Sequence, residues 1–284
     1  MKSWLLAACA LFLIMTSSAQ QRSAPQPWQL VWSDEFNGPA NAPPDPAKWT
    51  YDLGNNNGWG NRELENYTKD PANAHMDGNG NLVVHAEPIK SETPPAPGAP
   101  AYTSARIKTL GLFAIGPDPH TIIRVETRVK VPAGAGMWPA FWMLGGTFNN
   151  RNWPQCGEID IMESIGREPT MNHGSLHGPG YSGGQPKTAI YTLPGGKKFA
   201  DDFHTFAIDW TPTAVTFYVD DVAYNTVHDT DIPAGTQWVY NQPFFVLLNL
   251  AVGGNFAGPV GAETVFPKEL LVDYVRVYKR QSGQ

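Results

Sequence analysis

The sequence predicts an all-β fold, namely an antiparallel jelly-roll sandwich of two curved sheets with a concave cleft on one face. Three observations support this prediction. Several runs alternate apolar and polar residues with the period of a half-buried strand. The 284 residues include 28 glycines and 26 prolines, which suit frequent turns. No segment has the spacing of a long amphipathic helix, and many short strands between turns are typical of sandwiches and barrels.

Four stretches carry the strand prediction. Residues 124–131 alternate strictly, with valines on one face and charged side chains on the other. Residues 206–219 form two alternating runs around a Thr-Pro-Thr turn, which predicts a hairpin, and residues 220–221 turn the chain into another strand. Residues 244–252 are continuously apolar, as expected for a strand buried on both faces. Residues 270–278 alternate again and close the fold.

The amino-terminal segment is typical of an export signal. An apolar stretch over residues 4–15 is followed by small residues, so we expect residues 1–19 to be a signal peptide and residues 20–27 a short tether. The stretch is too short for a spanning helix. Cys9 suggests lipoprotein anchoring as an alternative, but apolar residues continue beyond it, which favours a secreted or periplasmic soluble protein. Residues 28–280 are then expected to form a single catalytic domain.

Charge and cysteine content narrow the possible partners. The formal net charge is −6 and no basic residues cluster, which argues against nucleic acid or an anionic membrane as a partner. Of the two cysteines, Cys9 lies in the predicted signal peptide, so Cys156 would have no intramolecular disulfide partner. We expect a monomer that depends on its apolar core.

The most informative stretch is the acidic run at residues 157–164, Gly-Glu-Ile-Asp-Ile-Met-Glu-Ser. Side chains alternate along a flat strand, so Glu158 and Asp160 would share one face and Glu163 would point into the core. An ionised carboxylate is costly there. One extra residue in a β-bulge restores the parity, and we therefore predict a bulge at Ile161–Met162 that brings all three acids to one face.

Three acids on one strand face repel each other, and this repulsion makes sense if one of them is kept protonated. A retaining glycosidase needs that asymmetry, because one carboxylate attacks the anomeric carbon while one carboxylic acid protonates the leaving oxygen. Such enzymes hold the two groups about 5–5.5 Å apart, and two long glutamate side chains on a bulged strand can approach that separation. The alternative is a solvated acidic face without catalytic function.

Aromatic and polar residues nearby fit the same interpretation. Trp138 and Trp142 have even spacing, which places both on one strand face, where they could stack on sugars or fill the core. Phe141, of opposite parity, is expected in the core. His177 follows the acids at a position that favours the cleft and a plain surface role equally. Residues 55–63 form a polar, glycine-rich loop that suits sugar contacts or an ordinary turn.

The chain resembles glycoside hydrolase family 16, in its laminarinase-like branch. The matching motifs cover nearly all of the expected mature chain, in order: residues 32–36 (WSDEF), 58–67 (GWGNRELENY), 104–107 (SARI), 137–144 (MWPAFWML), 157–164 (GEIDIMES), 176–180 (LHGPG), 249–254 (NLAVGG) and 272–278 (VDYVRVY).

This resemblance implies specific roles for the matching residues. Glu158 would be the nucleophile, Glu163 the acid/base and Asp160 the residue that tunes the pair, with no cofactor in the chemistry. Members hold a structural calcium on the convex face, which implies Glu35, a backbone carbonyl near Gly80, and Asp273 as ligands. The positions that would line the sugar-binding subsites are Asn61, Arg106, Trp138, Trp142 and His177.

The implied activity is secreted, retaining endo-hydrolysis of 1,3-β-glucan by double displacement. Two alternatives remain open at this point. The first is the same chemistry on mixed-linkage 1,3-1,4-β-glucan or a red-algal galactan, since the acid motif is shared across the family. The second is a non-catalytic β-glucan-binding lectin, which the presence of all three motif acids disfavours.

Overall fold

The computed structural model describes residues 26–93, 95–96 and 98–282. The predicted signal peptide, Cys9 and most of the predicted tether lie outside these residues. In the described part, no helix is long and apolar enough to cross a membrane. Seventeen strands are found there, in chain order β1 (Gln29–Asp34), β2 (Thr50–Asp52), β3 (Glu65–Tyr67), β4 (Ala74–Met76), β5 (Leu82–Pro88), β6 (Tyr102–Ser104), β7 (Arg106–Lys108), β8 (Thr121–Lys130), β9 (Met137–Gly145), β10 (Glu158–Glu163), β11 (Met171–His177), β12 (Lys187–Thr192), β13 (His204–Thr211), β14 (Ala214–Val219), β15 (Val222–His228), β16 (Phe244–Val252) and β17 (Lys268–Gln281).

These strands form two sheets. One has ten strands, with β15-β14-β13-β8-β17-β5-β6-β3 in order and β1 and β4 paired to β17 and β5. The other has seven strands in the order β12-β11-β10-β9-β16-β7-β2. All pairings are antiparallel except that of β3 with β6. A single-turn helix, α1 (Gly254–Ala257), and a 3-10 turn at Pro194–Gly196 are the helical elements of the described chain, so the all-β prediction is confirmed.

The predicted strand pattern agrees with the pairing. The hairpin is formed by β13 and β14, with Thr211 opposite Ala214, and the Asp220–Asp221 turn leads into β15. Both turn aspartates have positive φ (48° and 62°), a conformation that aspartate tolerates better than most residues. β16 is buried along its whole length, as its continuous apolar run predicts.

The core lies between the sheets and follows from side-chain alternation. In β8 the valines at 125 and 129 are fully buried, while Arg124 and Arg128, of the opposite parity, are only partly buried. The seven-stranded sheet contributes Phe141 and Met143 from β9 and alternate residues of β16 to the same apolar cluster. Its other face, which carries Trp138, Trp142 and the acidic run, remains available for a functional site.

Candidate active site

A cleft of about 970 Å³ crosses the outer face of the seven-stranded sheet. Strands β7, β9, β10, β11 and β16 form its floor, and the loops before β3, before β10 and after β11 form its walls. Every cleft residue predicted from the sequence is found in its lining, namely Asn61, Arg106, Trp138, Trp142, Glu158, Asp160, Glu163 and His177. The structure therefore brings together segments more than a hundred residues apart.

A β-bulge in β10 brings the three acids to the cleft. Against β11, Asp160 is opposite Ser175 and Glu163 is opposite His173, so three residue steps on β10 correspond to two on its neighbour. On the β9 side the shift falls between Asp160 and Met162. Ile161 is thus the inserted residue, and the predicted bulge is confirmed.

The residues between the acids show why the bulge is stable. Ile159, Ile161 and Met162 are fully buried in the main core cluster, so two consecutive side chains at the bulge point inward. Burying an aliphatic side chain contributes about 1.5–3 kcal/mol. A flat strand would instead place the Glu163 carboxyl in that core, and avoiding this cost favours the bulged register.

The acids are close to His177 on the neighbouring strand. Its Nε2 lies 3.0 Å from Asp160 Oδ2 and 3.7 Å from Glu158 Oε1. The Asp160 side chain is 4% exposed and that of Glu158 17%, so Glu158 is the more accessible of the two. Asp160 Oδ2 accepts no well-directed hydrogen bond, although it is buried. An unsatisfied buried carboxylate oxygen is costly, and this favours a protonated Asp160.

Burial raises the pKa of all three carboxyl groups, and repulsion by Asp160 adds to the rise for the two glutamates. Burial, reinforced by the charge of Asp160, raises the pKa of Glu158 to about 8, while His177 and Arg106 oppose the rise. Burial also raises the pKa of Asp160 well above its usual range. The pKa of Glu163 is raised well above its usual range by burial and then by Asp160. Because protonation of one acid alters the pKa of its neighbours, the cluster releases its protons at higher pH than separate, exposed carboxyl groups would.

Once Asp160 holds a proton, its repulsion of Glu158 is removed. The nearby cation Arg106 then favours the ionised form of Glu158, because opposite charges stabilise each other. Burial favours the protonated form of Glu163. The cluster can thus present one carboxylate and one carboxylic acid on the same strand face, which is the division that acid-assisted nucleophilic substitution requires.

Two tryptophans of β9 have different hydrogen-bond partners in the cleft. The Trp138 indole N–H donates to Glu163 Oε1 at 3.0 Å. The Trp142 indole N–H donates to Asn249 Oδ1 at 2.7 Å. Both rings face the cleft while Phe141 packs in the core, as the even spacing predicts. Trp153 also lines the cleft: it is 40% exposed, and its ring centre lies 6.0 Å from that of His177.

Arg106 occupies one end of the cleft between two aromatic rings. Its guanidinium carbon lies 4.8 Å from the Trp59 ring centre and 4.6 Å from that of Trp142. Asp52 Oδ2 lies 2.9 Å from Arg106 Nε and fixes the side chain from the edge. Asp52 was missed from the sequence, because nothing in its short strand distinguishes it from a solvated acid.

The tautomer of His177 follows from its second ring nitrogen. The Gly183 backbone N–H donates to His177 Nδ1 at 3.2 Å, so Nδ1 carries no proton in a neutral ring. The proton then resides on Nε2, facing the acids. Ligand atoms of Glu158, Asp160 and His177 lie within 4.8 Å of one another, a spacing that a metal ion could span. A metal would need a bare Nε2, and the Gly183 contact opposes that tautomer.

The residues predicted to bind calcium lie on the ten-stranded sheet, away from the cleft. Both Glu35 oxygens accept hydrogen bonds from Arg276, at 3.0 and 2.7 Å. Asp273 accepts one from Arg128 at 2.5 Å. Gly80 lies in the turn before β5. The carboxylates have the right chemistry for a hard cation, but arginines already neutralise them, so as placed they do not fit a calcium ion.

The fold and the cluster together define a class of protein. A two-sheet sandwich that carries paired carboxyl groups of divergent protonation in an aromatic-lined cleft is the architecture of a glycoside hydrolase. Comparison with protein families identifies which one: the family model described as glycosyl hydrolases family 16 matches residues 67–269, so the chain belongs to glycoside hydrolase family 16.

Individual relatives extend the similarity to the full domain. A protein of Rhodothermus marinus named beta-glucanase is 39% identical over 276 residues, covering 93% of this chain and 90% of the relative. The crystal structure of an endo-β-1,3-glucanase from Pyrococcus furiosus is 44% identical, with a TM-score of 0.81 over 91% of this chain and 97% of that one. The laminarinase catalytic domain of Thermotoga maritima is 43% identical, with a TM-score of 0.79 over 88% and 98%. The predicted jelly-roll fold is confirmed by these neighbours.

Proposed function

We propose that this protein is a retaining endo-β-glucanase that hydrolyses 1,3-β-glucan of the laminarin type. The observation that carries the proposal is the β10 bulge, which places Glu158, Asp160 and Glu163 on one face of the sheet beneath an open cleft. The printed names of the Rhodothermus, Pyrococcus and Thermotoga relatives support the choice of substrate.

The roles follow from accessibility and protonation. The Glu158 carboxylate attacks the anomeric carbon and forms a covalent ester, while the glycosidic C–O bond breaks and the leaving oxygen takes the Glu163 proton. Glu163, now a carboxylate, then removes a proton from water. The resulting hydroxide oxygen bonds to the anomeric carbon, and Glu158 departs as a carboxylate. Two inversions give net retention.

Asp160 and His177 support this exchange of charge. Asp160 lies between the two glutamates, and a proton held there reduces the repulsion that would otherwise oppose ionisation of Glu158. His177 Nε2 lies 3.0 Å from Asp160 Oδ2 and 3.7 Å from Glu158 Oε1, and its N–H dipole, although not aligned for a hydrogen bond, favours negative charge on the nearby acids. The carboxyl groups supply both the nucleophile and the proton, so the proposed chemistry has no step that needs a cofactor.

The cleft supplies the substrate contacts. The Trp138 and Trp142 rings offer apolar faces for the C–H groups of sugars, and Arg106 and Asn61 offer hydrogen-bond donors to hydroxyl groups. We further propose, from the sequence, that the protein is exported by its amino-terminal segment and acts as a monomer on a polysaccharide outside the cytoplasm. Size-exclusion chromatography with light scattering tests the monomer.

The structural calcium site remains a prediction from the family resemblance, and the ion pairs that its carboxylates form with arginines argue against it. An ion bound by Glu35 and Asp273 would have to displace Arg276 and Arg128. We therefore expect the same thermal unfolding midpoint in EDTA and in millimolar calcium. A difference of less than about 2 °C counts as no change. A calcium-dependent rise would restore the predicted site.

The proposal is tested by reducing-end release from laminarin, lichenan and agarose at equal mass concentration. We expect laminarin to be hydrolysed fastest, with a mixture of oligosaccharides early in the reaction, as endo-cleavage requires. Faster hydrolysis of lichenan would assign a mixed-linkage glucanase, and release from agarose alone would assign a galactan hydrolase. Glucan binding without release of sugar would overturn the enzymatic assignment in favour of a lectin.

A further inference from the structure

A second pair of buried carboxyl groups lies beside the cleft, outside the catalytic strand. Glu63, at the end of the 55–63 loop, is 7% exposed, and Glu65, at the start of β3, is fully buried. Their side chains contact each other. Asn55 Nδ2 donates to the backbone carbonyl groups of both residues, at 3.1 and 2.8 Å, so the local backbone is held in place. Neither acid has a role in the double displacement.

The hydrogen bonds around the pair show where its charge resides. Glu63 accepts two hydrogen bonds, from the Asn61 amide at 3.3 Å on Oε1 and from the Tyr67 hydroxyl at 3.4 Å on Oε2. Glu65 Oε2 accepts the Val252 backbone N–H at 2.7 Å, but its Oε1 finds no donor, although it is fully buried. An oxygen that lacks a donor and faces another carboxylate is satisfied if it carries the proton itself.

The charges that face the pair agree with this division. Burial raises the pKa of Glu63 above its usual range, and the contact with Glu65 and the charge of Arg106 oppose the rise. Burial, followed by the charge of Glu63, raises the pKa of Glu65 well above its usual range. Tyr67 is the other titratable group in contact, and burial keeps its hydroxyl neutral by raising its pKa. Asp52 is one step further away, paired with Arg106.

A chain of hydrogen bonds connects Glu63 to the cleft in two directions. Directly, Glu63 Oε1 accepts from Asn61, a cleft residue. Indirectly, the Tyr67 hydroxyl donates to Glu63 and accepts from Asn249 Nδ2 at 3.2 Å. Asn249 Oδ1 in turn accepts the Trp142 indole N–H at 2.7 Å. The chain fixes the amide orientation of Asn249 and, through it, the Trp142 ring.

We propose that Glu63 and Glu65 share one proton, held by Glu65, and that the ionised Glu63 is a positioning residue for the end of the cleft lined by Asn61, Arg106 and Trp142. Glu63 orients groups that bind sugar, Glu65 holds the proton without contacting those groups, and neither acid touches the reacting atoms. Loss of the Glu63 charge should therefore change KM for glucan more than kcat. This expectation rests on the proposed glucanase function.

The test compares two isosteric variants. Glu63 accepts from Asn61 and Tyr67 and, in this proposal, from Glu65, whereas the amide in Glu63→Gln has one oxygen and one NH2. We expect KM for laminarin to rise about tenfold, the effect of one lost hydrogen bond to a charged group, with kcat within about threefold. Glu65→Gln reproduces the neutral acid, with its NH2 towards Glu63, and KM at neutral pH should stay within about twofold. Equal KM values for both variants and the unmutated protein would overturn the positioning role.

A second measurement needs no substrate. Unfolded Glu65 releases its proton near its usual pKa of about 4.3, whereas folded Glu65 retains it to higher pH, so folding stability of the unmutated protein falls as pH rises through that interval. Glu65→Gln has no such proton, so its stability relative to the unmutated protein must increase with pH in urea titrations. Parallel stability curves would refute proton sharing.

The outcomes remain separable. If the unmutated protein releases no sugar from laminarin, the proposed function fails, yet the stability curves still decide where the proton resides. If Glu63→Gln does not fold, Tyr67→Phe replaces it in the kinetic comparison, since it removes the hydroxyl that joins Glu63 to Asn249. Tyr67→Phe should then raise KM for laminarin with kcat retained, and an unchanged KM would overturn the proposal.

Discussion

Replacing Trp138 with phenylalanine should move the alkaline limb of the pH–rate profile upward. The Trp138 indole N–H donates to Glu163 Oε1 at 3.0 Å and so favours the ionised carboxylate. This contact lowers the Glu163 pKa against the burial that raises it. Without the donor the pKa rises, and the proposed general acid keeps its proton to higher pH.

The size of the shift follows from the hydrogen bond. A hydrogen bond to a charged group contributes about 1.5–3 kcal/mol, and one pKa unit corresponds to about 1.36 kcal/mol. The alkaline limb of kcat/KM for laminarin should therefore move up by about one to two pH units. Phenylalanine keeps an aromatic ring at this position, so the wall of the cleft is preserved. A change in sugar stacking would alter the maximum of kcat/KM but not the pH at which kcat/KM falls.

Trp142→Phe is the matched control. It removes an equally placed indole N–H whose acceptor is Asn249 and not a catalytic acid. Its KM for laminarin is expected to rise while the alkaline limb stays within about 0.3 pH units, since no catalytic carboxyl loses a donor. A limb that stays in place or moves to lower pH in Trp138→Phe, or that moves equally in both variants, would refute the assignment of Glu163 as the general acid.

Three further predictions concern the catalytic strand and the sugar-binding end. Glu158→Gln should lower kcat on laminarin by roughly 10⁴-fold or more, as loss of a nucleophile does, with glucan retention in affinity electrophoresis unchanged; near-native turnover would remove Glu158 from its role. Ile161→Ala should reduce the free energy of unfolding, measured in urea, by about 2–5 kcal/mol, because the side chain is fully buried, and a loss below about 0.5 kcal/mol, typical of surface sites, would contradict its inward placement. Arg106→Lys should raise KM about tenfold, because an ammonium group cannot stack between the two flanking tryptophan rings; an unchanged KM would show that the charge alone suffices.

The fold was predictable from the sequence because its strands carry strong local signals. The alternation in β8, β13 and β14 and the apolar run of β16 each identify a strand without tertiary information. The bulge in β10 was predictable for a different reason. Three acids flanked by aliphatic residues fit one face only if an extra residue is inserted, so the cost of a buried charge reveals the register.

Other features of the site depend on contacts between distant segments. Asp52 and Arg106 meet because β2 pairs with β7, with these two residues directly opposite each other, and neither short strand shows that from its own residues. The tautomer of His177 depends on a backbone N–H in the loop that follows β11. In the sequence, Glu63 and Glu65 resemble exposed acids of a polar loop, and their burial, with Glu65 hydrogen-bonded to the Val252 backbone at the end of β16, is seen only in the structure.

The calcium prediction shows the limit of transferring ligand positions. Glu35 and Asp273 were named through family resemblance alone, and their carboxylates are the right type of ligand for a hard cation. What resemblance could not show is that Arg276 and Arg128 are within hydrogen-bond distance of these acids. Guanidinium and cation compete for the same oxygens, so ligand identity by itself does not determine occupancy.

The central claim is that the bulge in β10 turns Glu163 towards Glu158 closely enough for both to act on one sugar. Proton NMR of laminarin hydrolysis, recorded before mutarotation, tests this most directly. We expect the new reducing ends to appear first as the β-anomer, since double displacement through Glu158 retains configuration. Initial release of the α-anomer would mean that water attacks directly, with the carboxyl groups held too far apart for a covalent intermediate, and would contradict the account.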